Sequence, residues 1–507
     1  MGVQRDDMTY PLILSGKEQI RTTFVGASNF YPGYTYQIAC AGPLDIASAI
    51  GAARQAERGT VAQRKDLLHN AANEFKYSQD DIEHAVRMTG MPIKLISSLF
   101  AEIPEILKKV PDQILSRFNQ SDLEKTHLVE MISPDLYKVL IPNSGFCYAI
   151  TPGNDPRATA LVAANLTCLG IPFVIRASIR DAAAPLVIRA LNTSGIDPRF
   201  AQLIYLDRDD PYASQNHAHL VEACSIVWTF GPPAIIDRTL RFQPNPPRAS
   251  LDLEGVGINP ADMNALHALF VEWGPSGLDR RLQVETSLVD LFTGKSVLRH
   301  ALGNCAALVS GLFTEKTQNW LDASIGYAIV CTATKSIMVV GGNNWVEQAA
   351  EFLDSLVVGD PLNSETQVGY IDSNCLDFLE ELRRKNQHRA TFFGGQRISQ
   401  FQAAPLLVHS QADLPDFFAQ EIPAYVLACR YCLDLNEGIR QVNHYTQDQP
   451  RLAVSLMDFP SNQLKENISA LHTQTILVNK PTSSLLYAFH EGNDYALLLS
   501  QGKLVSF

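Results

Sequence analysis

The spacing of apolar and polar positions changes along the chain, and each change marks a different kind of element. Residues 8–44 hold short strand-like runs separated by turns, of which Tyr31-Pro-Gly-Tyr34 is the clearest. From Leu44 to Arg58 the apolar positions recur at helical spacing, with Asp45 placed as an N-cap and Gly59 as a stop. Two more helices are predicted over about 61–79 and 80–88. Thr89-Gly-Met-Pro92 ends the second, because glycine supplies the turn and proline cannot extend a helix. Helical spacing returns over 93–117, and residues 126–142 alternate as two strands.

A regular alternation follows. Gly145-Phe-Cys-Tyr-Ala-Ile150 reads as a strand, 155–169 as a helix, 172–176 as a strand and 182–194 as a helix. Strands at 201–205 and 225–229 bracket a helix at 217–223, and a further helix begins at Ile235. This order predicts an α/β fold with a parallel sheet covered on both faces, of the Rossmann type that commonly holds nucleotides. Ligands of such sheets sit beyond the carboxyl ends of the strands, which gathers residues 151–156, 177–180 and 229–233 around one crevice. Residues 262–320 read as mostly helical, with breaks at Gly274-Pro-Ser-Gly277 and Phe292-Thr-Gly294. After position 331 the alternation resumes to about 456, and strand-like pieces close the chain over 471–507.

Composition narrows the function classes. At 507 residues the chain is too long for one ordinary core, and 46% hydrophobic with 19% charged residues suits a globular protein. A net charge of −12 with no Lys/Arg block gives no support to nucleic-acid binding. No run reaches the roughly 18 apolar residues of a membrane helix, and the charged start, Met1 to Asp7, is no secretory signal. Nine scattered cysteines suit a reducing compartment, so a cytoplasmic location is expected. Cys429 and Cys432 form a lone CxxC in an apolar run, which reads as buried strand, and no metal site is expected.

One cysteine stands out. Cys331 follows a loop and precedes the strand-like Ser336-Ile-Met-Val-Val340, a helix over 345–356 and the turn Val358-Gly-Asp-Pro361. A thiol placed there suits either a covalent catalyst or a core residue. As a catalyst it needs a neighbour that lowers its resting pKa from about 8.5.

Taken in order, several short motifs resemble the NAD(P)-dependent aldehyde dehydrogenase superfamily along nearly the whole chain. Thr89-Gly-Met-Pro92 resembles its Thr-Gly-Lys-Pro, and Ile150-Thr-Pro-Gly-Asn154-Asp-Pro156 its Thr-Pro-Trp-Asn-Phe-Pro. Phe230-Gly231 resembles its glycine turn, and Leu253-Glu254-Gly-Val-Gly257 with Asn259-Pro260-Ala261 its Leu-Glu-Leu-Gly-Gly-Lys-Asn-Pro-Ala. Cys331-Thr-Ala333 resembles the nucleophile motif, and Glu421-Ile-Pro-Ala-Tyr-Val426 resembles Glu-Ile-Phe-Gly-Pro-Val. Cys305 is a rival nucleophile, but Gly359 lies 28 positions after Cys331 and 54 after Cys305, and the shorter spacing suits the family.

The resemblance implies a cofactor domain over 1–125 and 143–258, oligomerisation strands at 126–142 and 480–507, and a catalytic domain over 259–479 with a helical insertion at about 264–320. It implies Cys331 as nucleophile, Asn154 as oxyanion donor and Glu254 as the base that activates water. Thr151, Pro152, Arg176, Ser178, Gly231 and Glu421 would hold NAD or NADP. Arg176 stands where the family has lysine, and Ile179 where NAD-preferring members often carry glutamate, which leaves the cofactor choice open. Glu254 and Cys331 lie 77 positions apart, more than the family norm. The implied partners are a small-molecule aldehyde and a second copy of the chain, as homodimer or homotetramer. Two alternatives stand beside aldehyde oxidation: NADPH-dependent reduction of an acyl thioester (acyl-CoA or acyl carrier) to an aldehyde, and a non-catalytic dinucleotide-binding protein.

Overall fold

The computed structural model describes residues 5–20, 22–31, 33–118, 128–133, 136–142, 145–207, 210, 212–230, 296–300, 305–330, 332–342, 344–419, 422–445, 451–460, 463–464, 467–484, 487 and 495–506. Short strands open the chain: β1 (Arg5–Tyr10), β2 (Leu12–Leu14), β3 (Lys17–Gln19), β4 (Thr22–Ala27) and β5 (Thr35–Cys40). Helices α1 (Pro43–Gln55), α2 (Val61–Glu74), α3 (Gln79–Thr89) and α4 (Ile93–Leu115) follow. Their ends obey local chemistry. Thr60 accepts from the Gln63 N–H at 3.2 Å while Gln63 accepts from the Thr60 N–H at 2.8 Å, so two orphan donors at the start of α2 are met. Gly90 ends α3 at φ +72°, and a Cβ there would lie 2.7 Å from the Tyr370 carbonyl oxygen, so only glycine fits the turn.

After the hairpin β6 (Leu128–Ser133) and β7 (Leu136–Pro142) comes the alternation read from the sequence. It runs β8 (Cys147–Ile150), α5 (Arg157–Leu169), β9 (Phe173–Arg176), α6 (Ala184–Thr193), β10 (Ala201–Ile204), α7 (Ala213–Ala223) and β11 (Ile226–Phe230). Next are β12 (Ser296–His300), β13 (Cys305–Ser310), α8 (Glu315–Gly326), β14 (Thr334–Val340), α9 (Trp345–Asp354) and α10 (Ser373–Asn386). The elements that follow include β15 (Thr391–Gly394), β16 (Arg397–Ser399), β17 (Gln402–Ala403), β18 (Leu406–His409), β19 (Val426–Cys432), α11 (Leu435–His444), β20 (Arg451–Met457), β21 (Thr473–Val478) and β22 (Ser500–Ser506).

Two sheets carry the molecule. The first has the order β12-β11-β8-β9-β10-β2-β3, parallel from β12 to β10. The second has the order β15-β18-β19-β14-β13-β20-β21, parallel except for β15. Each has its own apolar core. Helix α5 is buried along its whole length, packed between the first sheet and α2 and α4. Fully buried leucines such as Leu166 contribute roughly 1.5–3 kcal/mol apiece. β22 pairs antiparallel with β7, and with β6 they form a separate three-stranded sheet. No helix among the described residues is long and apolar enough to cross a membrane.

The helical reading of 264–320 does not hold where the structure describes it before α8: residues 296–300 and 305–310 are strands. Ala306-Ala-Leu-Val309 is a short, wholly apolar run, and such a run has no period that separates buried strand from buried helix. The sheet memberships matter too. β12 lies beside β11 in the first sheet, past the boundary expected at 258, and β13 starts the second sheet five residues after β12 ends.

Candidate functional site

The crevice is set by strand order. From β8 the chain lays β9 and β10 on one side, then returns to lay β11 and β12 on the other. The direction reverses between β8 and β11, and the space beyond their carboxyl ends is the natural ligand position in such a sheet. Ile150 pairs with Arg176 on β9 and with Thr229 on β11, so the loops after β8 and β9 and the end of β11 share one rim.

The described residues expected at the cofactor lie on this rim with unequal roles. Thr151 is buried, its hydroxyl 3.1 Å from that of Thr159, which donates to Asp181 at 2.5 Å. Pro152 and Ser178 are half-buried. Gly153 brings the two loops together: a Cβ there would lie 2.4 Å from Ser178 Oγ and 2.6 Å from Arg180 Cβ. The Arg176 charge lies near the buried Tyr148 hydroxyl, which is 2.9 Å from His217 Nδ1. Arg180 lies over the Phe30 ring at 4.9 Å. Asp181 caps α6, accepting from the Ala183 and Ala184 N–H groups at 3.1 Å each. Burial pushes its carboxyl up to about 7, only partly offset by the hydrogen bonds from Thr159, Ala184 and Ala183.

Asn154 links this rim to the second sheet. Its Nδ2 donates to the Ile329 carbonyl at 3.1 Å, two positions before Cys331. The segment it meets crosses between the two cores. Ile325 and Ala328 belong to the core of the second sheet, whereas Ile329 and Val330 belong to that of the first. Two tight turns shape it, with the Val330 N–H on the Tyr327 carbonyl at 2.8 Å and the Ala333 N–H on the Val330 carbonyl at 3.0 Å.

Two cations that sequence reasoning passed over hold the same segment. Arg157, the first residue of α5, is 2% exposed, bonds Asp155 at 2.8 Å and Glu102 at 2.9 Å, and lies over the Tyr327 ring at 5.4 Å. Burial alone pulls its guanidinium down, but the charges of Asp155 and Glu102 outweigh it and hold the group above its ordinary value. Asp155 is thus engaged with Arg157. Lys335, on β14, is 3% exposed and donates to the carbonyl oxygens of Ala328 and Ala424. The signal for Arg157 was the Asp-x-Arg spacing; that for Lys335 was a single charge opening an apolar strand.

Cys331, Glu254, Gly231 and Glu421 lie outside the described residues. The described cysteines are free thiols, and Cys305 is fully buried beside Leu452, Ala453 and Leu477. Cys429 and Cys432 are buried on β19, and burial raises both thiols, Cys432 to about 12.

No family model and no curated protein matches the sequence. Solved structures do match the fold. An NAD-dependent aldehyde dehydrogenase from Sinorhizobium meliloti is similar at a TM-score of 0.74 and 16% identity, over 99% of this chain and 95% of that one. An NADP-dependent glyceraldehyde-3-phosphate dehydrogenase from Bacillus halodurans, complexed with NADP, gives 0.74 and 15%, over 99% of both chains. A 1-pyrroline-5-carboxylate dehydrogenase gives 0.74 and 16%, over 100% of this chain and 93% of that one. The chain has the aldehyde dehydrogenase fold.

Proposed function

We propose that the protein is an NAD(P)-dependent oxidoreductase that converts an aldehyde to a carboxylic acid through a thioester on Cys331. The observation that carries this reading is the Asn154–Ile329 hydrogen bond, which brings an amide of the crevice rim to the segment that ends at Cys331. In this reading the thiolate attacks the aldehyde carbonyl, and the second N–H of the Asn154 amide, with the backbone N–H of Cys331, stabilises the oxyanion. Removing one such donor typically costs roughly 2.7–4 kcal/mol. Pro152, Ser178, Gly231 and Glu421 hold the dinucleotide, with Thr151 and Arg176 behind them: Thr151 is buried and the Arg176 charge lies near the buried Tyr148 hydroxyl. NAD or NADP, when bound, supplies the hydride acceptor. Glu254 activates the water that releases the acid. The fold likeness to an NAD-dependent aldehyde dehydrogenase and to an NADP-dependent glyceraldehyde-3-phosphate dehydrogenase supports this reading.

Cys331→Ser and Glu254→Gln test it. The first is expected to abolish turnover, and the second to accumulate a covalent acyl-enzyme visible by intact mass. Full dehydrogenase activity in Cys331→Ser rules the reading out.

A second reading is reduction of an acyl thioester to an aldehyde. Thioester reduction needs no carboxylate to activate water. Under it Glu254→Gln leaves turnover unchanged, and NADPH with an acyl-CoA panel yields free aldehyde.

A further inference from the structure

We propose that Arg157 is a positioning residue for the Asn154 amide: its guanidinium, held between Asp155 and Glu102 and lying over the Tyr327 ring, fixes the loop that carries Asn154 against the segment whose Ile329 carbonyl that amide meets. The inference deepens the proposed function and rests on its reading of Asn154 as an oxyanion donor.

A guanidinium only 2% exposed is costly unless its charge is paired and its N–H groups are met. Here Nε and Nη2 donate to the two carboxylate oxygens of Asp155 at 2.9 and 2.8 Å, a planar fork on a planar anion. Nη1 donates to Glu102 at 2.9 Å. The Arg157 backbone N–H also donates to Asp155 Oδ1 at 2.9 Å, and the Ala158 N–H to the Asp155 carbonyl at 3.2 Å. Asp155 follows Asn154 directly, so these bonds fix the backbone on the carboxyl side of the amide. Gly153 fixes the other side by its close approach to Ser178 and Arg180.

The same guanidinium reaches the partner of the amide. Tyr327, whose ring centre lies 5.4 Å from it, opens the tight turn closed by the Val330 N–H on the Tyr327 carbonyl at 2.8 Å, and Ile329 lies inside that turn. Both ends of the Asn154–Ile329 hydrogen bond therefore bear on one side chain, one through Asp155 and the other through Tyr327. Glu102 ties that side chain to α4, whose inner face is buried in the first core from Ile96 to Leu115. A lysine would keep the charge but could not span the two Asp155 oxygens, Glu102 and the ring face at once, because an ammonium is a compact point charge. Geometry, not charge alone, is what the loop draws from Arg157.

The oxyanion forms only as the reaction proceeds, so displacing its donor lowers kcat and leaves substrate binding nearly as it was. The test is a double-mutant cycle on the full-length protein with Arg157→Lys and Asn154→Ala, reading NAD and NADP reduction with straight-chain aldehydes from propanal to decanal. Thermal melts check the fold of each variant. Arg157→Lys is expected to lower kcat about tenfold with little change in KM. In the Asn154→Ala background the same substitution should change kcat by less than about twofold, because the donor it positions is gone. A general loss of packing or of folded enzyme would act equally in both backgrounds. Should Arg157→Lys fail to fold, Glu102→Gln, at a half-buried position of α4, loosens the same clamp and goes through the same cycle. Equal kcat losses in the two backgrounds, or a loss confined to KM, overturn the role of Arg157. A wild-type kcat in Asn154→Ala alone overturns the oxyanion reading instead, so the two failures are distinct.

Discussion

Asn154 has one amide with two N–H donors, and the Ile329 carbonyl takes one of them at 3.1 Å. That bond orients the amide, and the second donor is the one an oxyanion would use. Asn154→Ala is therefore expected to lower kcat by about 10²–10³-fold while costing only about 1 kcal/mol of stability. Steady-state kinetics beside thermal melts check this, and an unaltered kcat removes Asn154 from the site. Asp181 makes a different prediction. Its folded carboxyl titrates near 7 because of burial, against an ordinary 3.8. Between those values the folded state holds a proton that the unfolded state has lost, so the stability contribution falls as pH rises from about 4 to 7. His84 acts with the opposite sign, since burial and then Arg87 depress it to about 3, and its contribution is lost as pH falls below 6.5. The wild-type curve sums such terms. Subtracting the Asp181→Asn curve isolates one of them, and the wild type should lose stability relative to that variant across pH 4 to 7, by a few kcal/mol at most. Denaturant melts at closely spaced pH values check this; a pH-independent difference contradicts it.

Among the elements, the contact that shapes the crevice is between the loops after β8 and β9. Gly153 permits it, because any side chain there meets Ser178 and Arg180. Gly153→Ala is expected to separate the loops and weaken dinucleotide binding about tenfold with the fold intact. Ser178→Gly removes two of the three close contacts, Ser178 Oγ at 2.4 Å and Ser178 Cβ at 2.9 Å. The double variant should therefore recover part of the lost affinity, a coupling that a double-mutant cycle by fluorescence titration measures. Additive losses would show that the close approach of Gly153 to Ser178 does not shape cofactor binding.

For the whole molecule, the three-stranded sheet of β6, β7 and β22 stands apart from the two large sheets. We propose it as the surface through which two copies of the chain would associate. Among the described residues β6 and β22 each pair only with β7, which leaves each an outer edge, the usual condition for joining another chain. Deleting residues 500–506 removes β22 from β7 and is expected to convert an oligomer to monomer. Light scattering on the truncated chain reads this directly, and an unchanged mass assigns the assembly to another face.

Much was legible in the chain itself because it is local. The βαβ order, the largely apolar α5 and the Gly90 stop depend on residue period and on what glycine and proline can do, and neighbours in sequence settle these. The strands at 296–300 and 305–310 were not legible, since a short apolar run fits a buried helix as well as a buried strand until a partner strand is present. The site belongs to the second kind. Asn154 and Ile329 are separated by 175 positions, and Lys335 and Ala424 by 89. No local pattern encodes such pairs. They exist because segment 327–330 leaves one core to pack in the other, and only the joint packing of two sheets determines which polar groups meet where it crosses.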